Sequence, residues 1–199
     1  MSAEEIVRHH EFDPDAVEYL VPPTVQSIAV VAYDPRWPAA FDAIAERIRR
    51  ALGDTARAVE HVGSTSVPGL PAKPIIDIDL TVPDSRDEEA YRGPLESEGF
   101  VLVLREPRWH EHRLARFEEP LANIHIWSPD CPETIRHRML RDWLIAHPED
   151  RDRYAEAKLA SAEAINATGG GFVMDYNQRK QPVIRDILDR MFRARGLVR

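Results

Sequence analysis

The sequence predicts an α+β (α/β) fold: a small mixed β-sheet with helices on one face, and a C-terminal helical lobe that closes a cleft. Short apolar, β-branched segments alternate with an amphipathic helix in the first part of the chain, and the pattern after residue 130 is helical. An apolar strand at 75–82 also carries aspartates at alternate positions. We therefore divide the chain into an N-terminal arm (1–24), a core (25–130) and a C-terminal helical segment (131–199).

The elements follow in order from local composition. Asp34 and Gly53 are a typical start and stop for the first long helix. Segments rich in β-branched and apolar residues predict strands, and these are residues 25–33, 56–62, 75–82, 100–105, 113–117 and 122–127. Apolar residues at helical spacing predict helices, and these are residues 34–52, 84–99 with an interruption at Gly93-Pro94, 132–146, 148–166, and a last helix through Tyr176 and Phe192.

Residues 63–74 contain too much glycine and proline for regular structure and predict a loop. Gly63 allows a sharp turn and a close approach of the backbone to a ligand. Ser64, Thr65 and Ser66 follow with hydroxyl and N–H donors, which are the components of a phosphate-binding nest. Lys73 adds a positive charge at the far end. The loop is therefore a candidate phosphate-binding site.

The strand that follows presents two carboxylates on one face. Alternation puts Ile76, Ile78, Leu80 and Val82 on the core face, so Asp77 and Asp79 share the other. Carboxylates are ligands for Mg²⁺ or Mn²⁺. Two such ions about 3.5–4 Å apart can stabilise the attacking and departing oxygens of a phosphoryl or nucleotidyl transfer. Taken separately, the loop could be a tight connection and the aspartates a solvated strand face.

Together, the Gly-Ser loop and the Asp-Ile-Asp strand resemble the hallmark of the nucleotidyltransferase superfamily. More narrowly, the run from Glu60 to Asp77 closely resembles the GrpB family. The likeness extends more loosely to 124–126, to 140–144, and to the pairs Tyr154 with Lys158 and Tyr176 with Lys180. The family looks like a minimal nucleotidyltransferase core followed by a helical segment.

The resemblance and the motifs together predict a metal-dependent transfer of a nucleoside monophosphate from a nucleoside triphosphate to an unidentified hydroxyl or phosphate acceptor. Asp77 and Asp79 would hold Mg²⁺ or Mn²⁺, Ser64 would hold the outer phosphates, and Lys73 would balance their charge. The alternative is a catalytically weak nucleotide-binding or regulatory module of the same fold. No Gly-x-x-x-x-Gly-Lys-Ser/Thr loop is present, so kinase activity is not expected.

A third carboxylate, usual in catalytic members of the superfamily, is not obvious in this sequence. On the predicted strand 122–127, Asn123, His125 and Trp127 share one face. If that face adjoins the aspartates, His125 takes the expected place of the acid. It would then serve as a general base or as a ligand that favours Mn²⁺ over Mg²⁺. The alternative is a structural histidine packed beside Trp127.

Three further cations are candidate nucleotide-binding residues. Arg113 begins a strand and could reach a phosphate. Lys158 and Lys180 each follow a tyrosine by four residues, so each Tyr–Lys pair shares a helix face. Such pairs are either solvated surface or the two sides of a triphosphate or base site. Residues 109–113 contain a His-x-His pattern, for which an exposed hairpin tip is preferred over a zinc site because no second ligand pair follows.

Composition limits the partners. The formal net charge of −8 disfavours nucleic acid as a ligand. Cys131 is the only cysteine, the first twenty residues are acidic, and no apolar run is long enough to cross a bilayer. We expect a cytoplasmic protein with no membrane partner. A domain that only binds a partner, with the aspartates merely solvated, is a third functional reading.

Overall fold

The computed structural model describes residues 2–198, which form one mixed sheet with helices on both faces. The strands are β1 Glu18–Tyr19, β2 Ala58–Val62, β3 Ile76–Thr81, β4 Val101–Glu106, β5 His112–Glu118 and β6 Leu121–Trp127. The α-helices are α1 Ala3–Val7, α2 Trp37–Leu52, α3 Arg92–Ser97, α4 Pro132–Ala146, α5 Pro148–Asn166 and α6 Val173–Ala194. The predicted mixed sheet is confirmed, but helices cover both of its faces and not one, since α2 packs on the apolar face and α4 on the face that carries Asp79.

The six strands lie in the order β1-β4-β5-β6-β3-β2. β3 runs parallel to β6 and antiparallel to β2, and the other neighbours are antiparallel. β3, which carries Asp77 and Asp79, thus has a hydrogen-bonded strand on each side. Its register places Asp77 beside Asn123 and Asp79 beside His125, so the polar residues of β3 and β6 share one face of the sheet.

The opposite face of the sheet is the main hydrophobic core. Ile78 and Leu80 of β3 are fully buried together with Ile124 of β6. They pack in one cluster with Ile44 and Ile48 of α2. Each such side chain stabilises the fold by about 1.5–3 kcal/mol on burial. The register of β3 is therefore strongly specified, because a shift by one residue would place both aspartates in this core.

Helices α4, α5 and α6 form a second cluster together with the loop after β2. Val67 and Leu70 of that loop are buried against Trp143 of α4 and Tyr154 of α5. Ile187, Leu188, Met191 and Phe192 of α6 complete the cluster. The loop is consequently held by apolar contacts to the C-terminal helices. None of the helices between residues 2 and 198 has the length and apolar character that a membrane crossing requires.

The predicted strand at 25–33 is wrong. The segment makes only two isolated bridges, between Gln26 and Gly171 and between Val31 and Ala72. The backbone N–H of Ile28 donates to Asn166 Oδ1 at 2.8 Å, and Asn166 Nδ2 donates to the Ile28 carbonyl at 2.9 Å. A side chain of α5 therefore satisfies the groups that a strand neighbour would otherwise take.

The helix predicted at 84–99 is shorter than expected. A 3-10 turn at Glu88–Ala90 comes first, and α3 then includes Gly93 and Pro94. Pro94 lies in the first turn of α3, where a missing N–H costs little, so it does not interrupt the helix. The pairing of β1 with β4 was not predicted from the sequence.

Candidate functional site

Asp79 lies at the bottom of the candidate site, and both of its carboxylate oxygens are engaged. Trp127 Nε1 donates to Asp79 Oδ1 at 2.9 Å, and His137 Nδ1 lies 2.9 Å from Oδ2 and 3.1 Å from Oδ1. The residue is 1% exposed. Burial alone would raise the pKa of Asp79, but the interactions with His137 and Trp127 outweigh it, so the pKa falls below 3.8.

His137 is a site residue that the sequence did not indicate. It lies in α4 without a recognisable motif around it, and only the packing of α4 across the sheet brings it to Asp79. Burial lowers the pKa of His137, but the charge and hydrogen bond of Asp79 raise it more, to about 9. His137 and Asp79 therefore form a charged pair at neutral pH.

Asp77 is the more accessible carboxylate, with 29% of its side chain exposed. Asn123 Nδ2 donates to its Oδ1 at 3.0 Å, and His125 Nε2 lies 3.7 Å from the same oxygen. Burial would raise the pKa of Asp77, but His125, Asn123 and Lys73 together lower it. The carboxylate is therefore ionised at neutral pH, with Oδ2 free of protein donors in the described chain.

The Gly-Ser loop lies directly against Asp77. Gly63 has φ +68° and ψ −167°, a region essentially restricted to glycine. A Cβ at this position would lie 2.5 Å from Asp77 Oδ2. The backbone of Gly63 thus makes its close approach to the carboxylate of Asp77.

The three hydroxyls after Gly63 lie in different environments. Ser64 is half-buried, and its hydroxyl has no hydrogen-bond partner within residues 2–198. Thr65 is buried and donates to the Ile75 carbonyl, and Ser66 Oγ donates to the Gly63 carbonyl at 2.6 Å. Of the three, the structure leaves Ser64 available to a ligand.

Lys73, Lys158 and Lys180 converge from the loop, α5 and α6, close enough to Asp77 for its charge to act on Lys73 and Lys158. Two tyrosine rings join them. Lys158 Nζ lies 4.9 Å and Lys180 Nζ 5.7 Å from the Tyr154 ring centroid. Lys180 Nζ is also 4.9 Å and Lys73 Nζ 5.2 Å from the Tyr176 ring centroid. The structure thus brings both predicted Tyr–Lys pairs together with the loop lysine.

The three ammonium groups have no carboxylate partner within 4 Å in the part of the chain described here. Burial, followed by the charge of Lys180, lowers the pKa of Lys73 to about 8 and that of Lys158 to about 6. Lys158 is 2% exposed and donates to the Pro71 carbonyl. Concentrated and unpaired positive charge is costly unless an anion joins it.

These three are also the only lysines in the chain, whereas it contains 23 arginines. An ammonium is a compact charge whose pKa shifts readily on burial, while a guanidinium is planar and always protonated. All three lysines of the chain thus belong to this cluster, and every other position that needs a permanently charged cation has an arginine.

The other predicted cation lies elsewhere. Arg113 is buried, and its Nε donates to Glu88 Oε1 at 2.8 Å while Nη1 donates to the carbonyls of Glu111 and His112. It faces the core side of the sheet, since its neighbour Leu114 pairs with His125. The structure does not bring Arg113 to the lysines, and its phosphate-binding role stays a prediction.

The predicted exposed hairpin tip at 109–113 is wrong for His112. This residue begins β5, is 2% exposed, and its Nε2 lies 3.1 Å from His125 Nδ1. Its Nδ1 lies 2.7 Å from Glu106 Oε2. Burial lowers the pKa of His112 well below 6.5, so the ring is neutral at pH 7.

A carboxylate on a neighbouring strand was also missed. Glu60 of β2 pairs across the strands with Asp79 and so lies on the same face. Arg138 of α4 donates to Glu60 Oε1 at 3.1 Å. Alternation along the predicted strand 56–62, combined with its pairing to the next strand, could have indicated Glu60.

The donor set fits a metal ion that arrives with a phosphate ligand. No preformed group of three or more His, Cys, Asp or Glu side chains able to hold a metal is present between residues 2 and 198. Mg²⁺ commonly uses one or two protein carboxylates and completes its shell with substrate phosphates and water. Asp77, with its free Oδ2, suits that role, whereas Asp79 must first release His137 or Trp127.

Fold and site together define an α+β protein in which an aspartate strand, a glycine-serine loop and a cationic cluster from C-terminal helices meet. The sequence model of the GrpB protein family matches residues 27–190, and the chain belongs to this family.

Curated relatives and a solved structure agree with this assignment. The UPF0157 protein BH1888 of Halalkalibacterium halodurans is 46% identical over 82% of each chain. The UPF0157 protein SCO7215 of Streptomyces coelicolor is 36% identical over 92% of this chain and 94% of its own. The conserved protein GrpB from Enterococcus faecalis superposes with a TM-score of 0.66 and 25% identity, over 82% of this chain and 99% of that one.

Proposed function

We propose that this protein binds a nucleoside triphosphate with a divalent cation, Mg²⁺ or Mn²⁺, and transfers the nucleoside monophosphate to a hydroxyl or phosphate acceptor. The observation that carries the proposal is the convergence of Lys73, Lys158 and Lys180, without carboxylate partners in the described chain, beside Asp77. A triphosphate supplies the compact, multiply charged anion that such a cluster lacks.

Each part of the site has a definite task in this proposal. The lysines bind the phosphate oxygens, and the charge of the anion restores the lowered pKa values of Lys73 and Lys158. Ser64 donates its free hydroxyl to an outer phosphate. Asp77 contributes a carboxylate oxygen to the cation, which would neutralise the charge that develops on the phosphates during transfer. Transfer of this kind depends on positioning and charge, and the residues described supply both.

A second candidate is a nucleotide-binding module with weak or no catalysis. The burial of Asp79 under Trp127 and His137 favours it, because a carboxylate with both oxygens engaged is not free to bind a metal. The two candidates share the lysine cluster and Asp77, and they differ in whether the bound nucleotide is transferred. A metal ligand role for Asp79 in transfer would first require release of His137 or Trp127.

Calorimetric titration with ATP and the other nucleoside triphosphates, in Mg²⁺, Mn²⁺ or EDTA, tests the binding step. Lys180→Met should weaken binding by about tenfold or more, since one charge-assisted contact contributes about 1.5–3 kcal/mol. Arg179→Met is the matched control: it removes the same charge from the adjacent, exposed position of α6 and should leave the affinity within about twofold. Equal losses for the two variants would reject the lysine site.

The role of the cation is tested by Asp77→Asn. The variant should lose the difference in affinity between Mg²⁺ and EDTA, because an amide oxygen is a poor substitute for a carboxylate on a hard cation. Its urea-unfolding midpoint should change little, since the amide preserves the shape of the side chain. Undiminished metal dependence in this variant would contradict the assignment of Asp77.

Release of pyrophosphate in the presence of candidate acceptors then distinguishes transfer from binding alone. A wild-type protein that binds the triphosphate but releases no pyrophosphate with hydroxyl or phosphate acceptors supports the second candidate.

A further inference from the structure

The face of the sheet that carries Asp77 and Asp79 continues beyond the candidate site, across β6, β5 and β4 to β1. Residues directly opposite each other on neighbouring strands point to the same face. The strand register therefore places two rows of side chains on this face: Asp77, Asn123, Arg116 and Val101 in the first, and Asp79, His125, Leu114, Leu104 and Tyr19 in the second. Each row begins at an aspartate and ends in apolar side chains.

The outer ends of the two rows are open to a ligand. Four side chains there together form the apolar shelf: Val101, Leu104, Leu114 and Tyr19. Val101 is 49% and Tyr19 44% exposed, while Leu104 and Leu114 are partly buried. None of the four belongs to a hydrophobic cluster within residues 2–198. A single exposed apolar side chain is ordinary on a protein surface, but adjoining ones mark a surface that contacts a ligand or a partner.

Arg116 is the cationic group next to the apolar shelf. Its side chain is 39% exposed, and its Nε–H is buried without a hydrogen-bond partner in the described chain. Glu118 Oε1 lies 3.2 Å from Nε, outside hydrogen-bond geometry, on a side chain that is 74% exposed. An exposed pair of this kind contributes little to stability and exchanges readily for another anion. The planar N–H groups of a guanidinium match the oxygens of a phosphate or a carboxylate, so Arg116 is available to an anionic ligand.

Arg116 lies near the lysine cluster but on the other side of β6 from Asp77. Burial is the main cause of the lowered pKa of Lys73, the charge of Lys180 is the second, and the charge of Arg116 contributes as well. Adjacent strands are about 4.8 Å apart, so the backbones of Arg116 and Asp77 are separated by about 10 Å across Asn123. A triphosphate bound to the lysines and to a cation on Asp77 would therefore leave Arg116 and the apolar shelf free for a second molecule.

We propose that this outer part of the sheet face binds the acceptor, and that the acceptor is a small molecule with an apolar body and an anionic group, a phosphate or a carboxylate, held by Arg116. The inference rests on the proposed function for the other substrate, the nucleoside triphosphate. Charge complementarity identifies the occupant, because an anion is what the guanidinium lacks, and the apolar shelf supplies contacts for an uncharged body. Arg116 is then a residue that determines specificity: it selects acceptors by their negative charge.

Methyl NMR of the protein with labelled leucine and valine tests the site without any turnover. Three probes of matched shape are titrated in the presence of tripolyphosphate, which occupies the lysine cluster: phenyl phosphate, benzoate and benzyl alcohol. At least one of the two anions should shift the methyl signals of Val101, Leu104 and Leu114, and the comparison of the two distinguishes a phosphate from a carboxylate. Benzyl alcohol should bind about tenfold more weakly or less, because it lacks the charge-assisted contact. Equal binding of benzyl alcohol, or shifts confined to other methyl groups, would overturn the proposal.

Arg116→Met tests the role of the guanidinium. The variant should bind the anionic probe about tenfold more weakly, since one charge-assisted contact is lost, while its affinity for tripolyphosphate should fall by less than about threefold. Arg92→Met is the matched control: Arg92 is 45% exposed and paired with the nearby Glu96, and its loss should change neither affinity. If Arg116→Met weakens tripolyphosphate binding as much as Lys180→Met does, Arg116 belongs to the nucleotide site and the acceptor assignment is wrong.

The two proposals fail in different ways. If an anionic probe shifts the shelf methyl signals and Arg116→Met removes the effect, the anion site holds even when no pyrophosphate is released, and only the proposed transfer fails. If pyrophosphate is released with neutral acceptors, and Arg116→Met leaves the KM for the acceptor unchanged, the transfer holds and the acceptor assignment is rejected.

A second copy of the chain is the alternative occupant of the apolar shelf. A wild-type protein that sediments as a dimer, and that Val101→Glu converts to a monomer, would show such an interface and overturn the acceptor assignment. Since the three probes are compared on the wild type, a variant that folds poorly does not remove the test.

Discussion

Gly63 places the backbone of the loop in direct contact with Asp77, the candidate metal ligand. Its backbone conformation is essentially restricted to glycine, and the space that a side chain would occupy is taken by Asp77. The carboxylate thus sits directly against the turn that carries Ser64. A ligand that contacts both the Ser64 hydroxyl and Asp77 Oδ2 would need the loop at this close distance.

Gly63→Ala should therefore disturb folding and binding together. Backbone strain in this region costs about 1–3 kcal/mol, and displacement of Asp77 adds to it. Gly69→Ala is the control: Gly69 also has positive φ, but its nearest neighbour is Arg151 at 3.9 Å, so strain alone should cost about 1–2 kcal/mol. Urea unfolding and triphosphate titration of both variants would check this. A Gly63→Ala variant as stable as Gly69→Ala would contradict the importance of the contact.

Individual site residues differ in how far the sequence could reveal them. Asp77 and Asp79 follow from alternation within one strand, and Gly63 and Ser64 from the composition of one loop. His137 has no such local signal, because it reaches Asp79 only through the packing of α4 over the sheet. The sequence indicates each of the three lysines as a candidate phosphate-binding residue, but only the tertiary structure brings them together.

At the scale of elements, the C-terminal helices are joined by one buried carboxylate. Asp150 of α5 is 0% exposed; Trp143 Nε1 of α4 donates to its Oδ2 at 2.8 Å, and Arg190 Nη1 of α6 donates to its Oδ1 at 2.6 Å. The three helices that carry His137, Lys158 and Lys180 are thereby connected through a single side chain.

Asp150→Ala should destabilise the protein by about 1–3 kcal/mol, since it leaves the buried Nε1–H donor of Trp143 unpaired and removes the carboxylate partner of Arg190, whose side chain is 40% exposed. The control is Asp186→Ala, which removes the exposed partner of Arg153 and should cost less than about 1 kcal/mol. Thermal unfolding of both variants measures the difference. Similar losses would show that Asp150 is not the connection between these helices.

The elements that the sequence predicted well are those whose pattern is local. The strand carrying the aspartates, the meander of β4, β5 and β6, and the long helices all have clear periodicity. The segment at 25–33 is equally apolar and β-branched, yet it is not a strand: Asn166 takes the backbone N–H and carbonyl of Ile28 in its middle, and only Gln26 and Val31 make isolated bridges. No local pattern could reveal a competitor 138 residues away in the sequence.

For the whole molecule, charge distribution matters more than net charge. The chain carries a formal −8, yet its only lysines are concentrated beside the candidate metal ligand Asp77. The arginines of the described surface are largely paired with carboxylates, as in Arg50 with Glu98 and Arg36 with Asp34. Locally unpaired positive charge within an acidic protein favours a small polyanion over an extended nucleic acid.

The lysine cluster should lower the free energy of unfolding by an amount that depends on pH. The folded-state pKa values of Lys73 and Lys158 are about 8 and about 6, below the ordinary 10.5. Between these values and 10.5 the unfolded chain binds more protons than the folded one, so the free energy of unfolding should rise with pH across this window. Below about pH 6 both lysines are protonated in either state, and their destabilisation is complete.

Lys158→Met should therefore raise the free energy of unfolding at pH 7, by about 1–3 kcal/mol once the lost hydrogen bond to Pro71 is allowed for. It should also reduce the rise in the free energy of unfolding between about pH 6 and pH 10. Tripolyphosphate, added as a probe for the lysine cluster, should stabilise the wild type, and Lys158→Met should abolish most of that stabilisation. Arg50→Met, at an exposed ion pair, should change neither the pH slope nor the response to tripolyphosphate. Urea unfolding at several pH values, with and without tripolyphosphate, gives both quantities from one set of samples. A Lys158→Met protein that is less stable than the wild type at pH 7, and still stabilised by tripolyphosphate, would show that Lys158 serves the fold and not an anion.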